Sequence, residues 1–501
     1  MALATTAAMA QDAPLTPRGR IQNVGDYSQT SNAKARKIGS ASSALLPVTG
    51  SPKVPVILAQ FSNRTFTVAE SDEALRENYE QFFNGGEGIM PGQQGAESYG
   101  SVQEYFRQQS DGQFTPQFTI IGPVTLSRGY DYYGQGTADI HINEFYSEAC
   151  KQAVQNYNVD WNTFDNNNDG LIDLILFIYA GDGESEGTDV NTIWPKENPT
   201  QKTVIYDDTR VTFAAYACGP ELYNGKQDGI GLCVHELGHG LGLPDLYDTG
   251  YKSFGMDFWD IMDSGCYQLT GHQPCCMTAY ERDFMGWRQL VELDPDQSYT
   301  LTLEPIETTG VGYKVVNKAN SNEYFILENR QNLGFDEYLP WVSLSRYRKY
   351  GHTHGLMITH IDYDRTAWNG NSVNTNANHQ RLTIVPADGE LVSSIFGYND
   401  TWAQSLHGDL YPGPDNVTEM SSYAVFTGTT LGQTIDNIRE TSDGLIILDI
   451  NGGDPDAILS ATETPATIEA IYSPEGQPRQ QLQRGLNLVR YSDHSVRKVL
   501  R

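Results

Sequence analysis

Apolar residues recur along this chain in short runs punctuated by Gly, Pro, Asn and Asp. KVPVILAQF is apolar from Val54 to Phe61 and has the character of a central strand. Ser101-Val102-Gln103-Glu104 is a capping-box pattern ahead of Tyr105 and Phe106, which predicts a helix start. GQFTPQFTIIGPVTL reads as two strands around a turn. The spacing of Ile140, Ile142, Phe145, Ala149 and Ala153 predicts a helix over Ala138–Tyr157. An Asn/Asp-rich loop leads into a strand at Leu171–Tyr179, and a Gly/Asp/Glu-rich loop runs on to Trp194. Gly229–Leu241 predicts a second helix, stopped by Gly242 and Pro244. From Ser298 to Ile450 the pattern becomes short alternating runs such as YTLTLEPI, EYFILENR, GLMITHIDYD and GLIILDI, which read as a β-sandwich. Asn451–Asp456 (NGGDPD) is a linker before a short, basic, strand-like tail.

Composition narrows the classes. The 501 residues suggest about three domains at a typical ~150 residues each. Acidic side chains number 63 against 33 basic, a net charge of −30, which excludes a nucleic-acid binder and disfavours an anionic membrane surface. A 39% hydrophobic content with 29 Tyr and 18 Phe is enough to fill cores. No apolar run reaches the ~20 residues of a membrane helix. MALATTAAMAQDA resembles the end of a secretory signal with a small-residue cleavage site near Ala8-Met9-Ala10, and Gln11–Ser51 reads as a processed leader, pro-segment or loose arm. The cysteines (150, 218, 233, 266, 275 and 276) form no CxxC pair and read as small buried thiols.

The chemistry concentrates in HELGHGLGLPD, His235 to Asp245. On a helix, i and i+4 share a face, so His235 and His239 can direct two ring nitrogens at one ion. Zinc accepts neutral imidazole, a catalytic site keeps one position open for water, and Glu236 lies where it can take that water's proton. Gly242 allows a sharp turn that returns Asp245 as third ligand. Gly238 and Gly240 are expected to flatten one side of the helix where a substrate backbone passes. FWDIMDSG (Phe258–Gly265) looks like a Met-turn, with Met262 supporting the metal from below.

With these motifs in place, the chain resembles the immune inhibitor A peptidases, secreted zinc metallopeptidases of the metzincin type. DGIGLCVHELGHGLGLPDLYD is similar to that family's active helix with an Asp-type third ligand. DGLIDLILFIYAGDGESEG, PCCMTAYERDFMGW and EYFILENRQ resemble the flanking blocks. The resemblance implies His235, His239 and Asp245 as zinc ligands, Glu236 as general base and Met262 as the floor of the site. It leaves the oxyanion stabiliser open between Tyr267 and His272. It also implies an α+β metzincin-like catalytic domain over residues 51–290, after a leader over 1–50. A β-sandwich then follows over 291–450, and a linker with a β tail over 451–501.

A second ion has its own signal. Asp165-Asn166-Asn167-Asn168-Asp169-Gly170-Leu171-Ile172-Asp173 fits the first nine positions of an EF-hand-type loop. Asp165, Asn167, Asp169 and Asp173 offer side-chain oxygens, and Leu171 offers its carbonyl. Leu176 stands where the loop's final Glu would be, so the expectation is a calcium loop leading into a strand. Glu184, Glu186 and Asp189 read as a solvated acidic loop, and His352, His354, His360 and Asp362 as hydrogen-bonded structural residues. The tail is similar to type IX secretion sorting segments, with a turn at Tyr472–Gly476 and a strand at Gly485-Leu486, which implies secretion machinery as a partner. The chain thus reads as a secreted or cell-surface zinc endopeptidase that cleaves protein or peptide substrates. The alternative is a calcium-dependent surface binding protein or adhesin with a non-functional peptidase domain.

Overall fold

Along the first strand Val54, Val56 and Leu58 alternate with Ile57 and Ala59, and both sets are buried. A sheet covered on both faces demands such a continuous apolar run. The computed structural model describes residues 45–85, 100–185, 189–199, 201–340, 350, 353–420, 424–453, 468–473, 477–479, 486–491 and 496–500. The expected signal sequence, Glu186, His352, Gly476 and Gly485 lie outside them.

The first sheet contains β1 (Lys53–Gln60), β2 (Gln117–Thr125), β3 (Ile175–Asp182), β4 (Lys196–Asn198), β7 (Tyr216–Tyr223) and β8 (Lys226–Gln227), with β5 (Lys202–Tyr206) and β6 (Thr209–Phe213) as a separate hairpin. Strands β2, β1, β3 and β7 run parallel in that order, and β4 lies antiparallel on β7. The helices of this part are α1 (Asp72–Asn84), α2 (Val102–Gln109), α3 (Tyr130–Tyr133), α4 (Ile142–Asn156) and α5 (Gly231–Gly240). One face of the sheet packs Ile57, Phe177 and Tyr216 with Phe145, Tyr146 and Ala149 of α4. The opposite face packs Val56, Leu176 and Ile178 with Val234 and Leu237 of α5.

Several local expectations shift for identifiable reasons. Ser101 Oγ does accept from the Glu104 N–H at 3.1 Å, but the Glu104 carboxylate turns to Arg107 and Gln108, so half of the capping box forms. The segment read as two strands around a turn holds only β2. Pro123 has no N–H to give a ladder, and Gly122-Pro123 makes a register shift opposite Ile57–Ala59 instead of a turn. Helix α4 starts at Ile142 rather than Ala138, because Asp139 takes a left-handed φ of 41° and Ile140 is exposed. Strand β3 starts at Ile175 rather than Leu171, since Asp173 is held back by Asn166 and Asn167.

Beyond α6 (Ala279–Met285) come β9 (Val291–Glu292), β10 (Tyr299–Leu303), β11 (Tyr313–Val316), β12 (Glu323–Arg330), β13 (Gly355–Asp362), β14 (Leu382–Ile384), β15 (Ile435–Glu440) and β16 (Ile446–Ile450). They form a five-stranded sheet, β14-β13-β12-β11-β9, and a three-stranded sheet, β10-β16-β15. Phe325, Leu327, Leu356 and Ile358 pack towards Leu303, Ile446 and Leu448. The alternate residues Ile326, Met357 and Ile361 enter the same core as α5. The five-stranded sheet is therefore apolar on both faces, and the core runs unbroken across residue 290. Two helices that the periodicity did not announce, α7 (Arg365–Asn369) and α8 (Asp400–Gly408), also belong to this part.

The chain up to Gly452 is one compact unit and Gly453–Arg501 another. In the second unit, β17 (Ile468–Tyr472), β18 (Pro478–Arg479), β19 (Leu486–Tyr491) and β20 (Val496–Leu500) form an antiparallel sheet in the order β18-β17-β19-β20. Among the described residues no helix is long and apolar enough to cross a membrane.

Candidate active site

Helix α5 is buried along its whole length, which its glycines make possible. A methyl on Gly231 would fall 1.8 Å from the Cys266 carbonyl oxygen, and one on Gly238 would fall 2.6 Å from Met262 Sδ. At the C-terminal end the Gly242 N–H reaches His239 O at 2.9 Å and the Leu243 N–H reaches Gly238 O at 3.0 Å. Gly242 adopts φ 104°, a conformation that disfavours any residue with a Cβ, and the chain reverses there. The reversal returns Asp245 to the helix.

His235 Nε2 and His239 Nε2 both face Asp245 Oδ1, at 3.3 and 3.1 Å. The other ring nitrogens are already engaged: Nδ1–H of His235 donates to Ile261 O at 2.8 Å, and Nδ1–H of His239 donates to Leu243 O at 2.9 Å. Those carbonyls can only accept, so the lone pairs of the neutral rings sit on Nε2, in the tautomer that ligates metals. Asp245 Oδ1 is buried without a hydrogen-bond donor. An acceptor-only carboxylate and two imidazole lone pairs converging within 4.8 Å suit a divalent cation and suit no neutral partner. Without a cation, burial disfavours charge on His235, but the Asp245 contact still raises its proton affinity well above the ordinary value. Burial works against the Asp245 carboxylate, yet His239 and His235 hold its pKa below the usual range. A proton would thus occupy the place of the ion, and metal binding would release it.

Glu236 lines the same cleft, 5% exposed, with Oε2 unpartnered. Burial pushes its carboxyl up to about 7, against the opposing pull of His235 and His239. A buried carboxylate near neutrality, one residue from His235, is suited to taking and returning a proton. Met262 is fully buried beneath Gly238, and its segment does two further jobs. Ile261 O orients His235, and Met262 O accepts from the Leu246 N–H at 2.9 Å, beside Asp245.

The expectation for the glycines is overturned: Gly238 faces Met262 and Gly240 faces Leu174, so both serve inward packing rather than a substrate-facing surface. Of the two oxyanion candidates, Tyr267 lines the cleft. His272 is buried, its imidazole pushed down to about 4 by that burial, and it is not among the cleft's lining residues. Two residues near Asp245 escaped the sequence reading. The phenol of Tyr247 is raised well above its ordinary value by burial and by the Asp245 charge. Asn371, from beyond β13, donates Nδ2–H to Asp245 Oδ2 at 2.6 Å and accepts the Asp245 N–H at 2.7 Å. No motif could have revealed Asn371, since the contact spans 126 residues.

The acidic loop gathers Asp165, Asp169 and Asp173, with one oxygen of each within 4.8 Å of the others. Asp165 accepts from the Asp169 and Gly170 N–H groups, Asn167 from Asp169, and Asp169 from Leu171. Burial pushes the Asp173 carboxyl up to about 6. In the β region His354, His360 and His379 are each engaged by a carboxylate, Glu440, Glu323 and Asp362 respectively. All six cysteines are buried free thiols.

Residues 50–290 match the family described as immune inhibitor A peptidase M6, catalytic domain. Immune inhibitor A of Bacillus thuringiensis subsp. alesti is 27% identical over 267 residues, 45% of this chain and 38% of that protein. The pre-pro-metalloprotease PrtV of Vibrio cholerae serotype O1 is 26% identical over 224 residues, 38% of this chain and 24% of that protein. The match thus spans well under half the length of either relative. Residues 50–290, just under half of the chain, are similar to the immune inhibitor A peptidase M6 catalytic domain, and His235, Glu236, His239 and Asp245 all lie inside the matched stretch.

Proposed function

We propose that the protein is a secreted, zinc-dependent endopeptidase acting on protein substrates. The observation that carries this reading is the convergence of His235 Nε2 and His239 Nε2 on the unpartnered Asp245 Oδ1, with the unpartnered Glu236 Oε2 in the same cleft. Zinc held there would act as a Lewis acid on water and on the scissile carbonyl. Glu236 takes the proton of the attacking water and delivers it to the leaving amine. Met262 supports α5 from below, and Tyr267, which lines the cleft, stabilises the charge that develops on the carbonyl oxygen. The two sheets over residues 291–450 act as a β-sandwich that buttresses the site. The Asp165–Asp173 loop holds a structural calcium ion through Asp165, Asn167, Asp169, Leu171 and Asp173, and the tail within residues 451–501 directs export.

The test combines metal analysis with casein cleavage by wild type and Glu236→Gln. The expected result is one tightly held zinc in both proteins and a loss of about 10²–10⁴-fold in turnover for the variant. Zinc-loaded wild type with no Glu236-dependent cleavage on a broad protein panel would favour the binding-protein alternative.

A further inference from the structure

The two imidazoles are aimed by carbonyls close by, Leu243 on the chain reversal and Ile261 on the Met262 segment. Asp245 is aimed from elsewhere. Its carboxylate has two oxygens, and which of them meets the imidazoles is decided by what holds the other. Asn371 Nδ2–H takes Oδ2 at 2.6 Å, while Asn371 Oδ1 accepts the Asp245 backbone N–H at 2.7 Å. Only one amide orientation satisfies both bonds, because the N–H requires an acceptor and the carboxylate a donor. Asn371 is itself immobilised. It is buried, it holds φ 49°, a left-handed conformation that Asn tolerates better than most residues, and its N–H bonds Trp368 O at 3.3 Å. Trp368 is fully buried and donates from its indole to Tyr280 OH at 2.6 Å.

The same segment grips the ligand loop again further on. Asn374 donates to Leu246 O at 2.7 Å, Ser253 donates to Asn374 O at 3.0 Å, and Thr383 donates to Gly255 O at 2.6 Å. The strap from Asn371 to Thr383 therefore holds the loop from Asp245 to Gly255 along its length.

We infer that Asn371 is a positioning residue for the metal centre, presenting Asp245 Oδ1 as a single-oxygen ligand by engaging Oδ2. The inference rests on the proposed metal reading of His235, His239 and Asp245, and it makes metal affinity a property of the β region as well as of the peptidase domain. A hydrogen-bond partner of a first ligand commonly carries 10–100-fold of metal affinity.

The test measures zinc affinity of the full chain by competition with a chromophoric chelator, and records the visible spectrum of the cobalt(II)-substituted protein. The variants are Asn371→Gly, which keeps the backbone conformation, and Asn371→Asp, which sets a second carboxylate against Asp245. Asn329→Ala serves as the control. It removes a buried amide that donates to Leu303 O and Gly444 O in the β region, away from the site. The expected outcome is a 10–100-fold weaker zinc affinity and a changed cobalt spectrum for both Asn371 variants. Asn329→Ala should lower the unfolding temperature and leave both readouts as in wild type. Zinc affinity of Asn371→Gly within about threefold of wild type, or an equal loss in Asn329→Ala, would overturn the inference. Zinc binding that Asp245→Ala leaves intact would instead sink the metal reading on which it rests.

Discussion

Gly238 offers a sharp test of how α5 and Met262 fit together. A Cβ at this position would lie 2.6 Å from Met262 Sδ and 3.4 Å from Met262 Cε. Ordinary contacts of that kind sit near ~3.5–4 Å, so about 1 Å of overlap must be relieved inside a core without slack. Overpacking of this sort costs about 1–3 kcal/mol, offset by about 1 kcal/mol from replacing Gly by Ala within a helix. The net expectation for Gly238→Ala is a destabilisation of about 0–2 kcal/mol. Gly240 is the internal comparison, because its Cβ would meet the tip of Leu174, Cδ2, at 3.0 Å and Leu46 Cδ1 at an ordinary 3.8 Å. A leucine tip yields easily, so Gly240→Ala should be neutral or stabilising by up to about 1 kcal/mol. Urea unfolding of the metal-free proteins, followed by tryptophan fluorescence, gives both values on one scale. The double variant Gly238→Ala/Met262→Ala should be more stable than the sum of its single changes by about 1–2 kcal/mol, since removing the sulfur removes the clash. Equal stability of the two alanine variants, or strict additivity in the double, would refute this account of the helix–Met262 contact.

Other expectations follow from the same geometry. Burial and the neighbouring Asp139 push the Glu184 carboxyl up from 4.5 to about 7. The fold therefore holds that proton more tightly than the unfolded chain, and the contribution is fully present at low pH and lost as pH rises through 7. Glu184→Gln should remove about 1–3 kcal/mol of that decline between pH 5 and 8; an unchanged pH–stability slope would count against it. Calcium at about 100 times its dissociation constant should stabilise the wild type by about 2.7 kcal/mol, and Asp169→Ala should abolish the effect in a thermal shift assay. An identical calcium response in Asp169→Ala would rule out the loop as the binding site. Gly242→Ala forces a Cβ into φ 104° and should cost about 1–2 kcal/mol while weakening zinc binding, because the reversal that returns Asp245 is strained.

What could be read from the chain alone follows distance along it. His235, Glu236 and His239 occupy little more than one helical turn, so their spacing already determines which side chains share a face. Asp245 could be anticipated because only a glycine-assisted reversal separates it from the helix. The runs over Tyr299–Leu303, Glu323–Arg330, Gly355–Asp362 and Ile446–Ile450 were legible as strands from their alternation or β-branched content. Their pairing was not, and neither was the fact that the five-stranded sheet would bury both faces. Gly238 and Gly240 show the limit of local reasoning: a missing side chain signals close approach but not what approaches. Asn371 marks the far end of that scale, since nothing in its surroundings of Gly370 and Ser372 points to a carboxylate 126 positions earlier.

The unbroken core beneath the site also has a consequence in time. At ~5–20 residues per second, the ribosome needs roughly 6–25 seconds to pass from Asp245 to Asn371. During that interval the helix with both histidines has been synthesised, but neither the sheet that covers it nor the amide that aims Asp245 has emerged. On the proposed reading, the nascent chain then holds His235, His239 and Asp245 without the amide that fixes Asp245, and assembly of the β region completes the site. The order of translation would then delay any activity until the β region has folded.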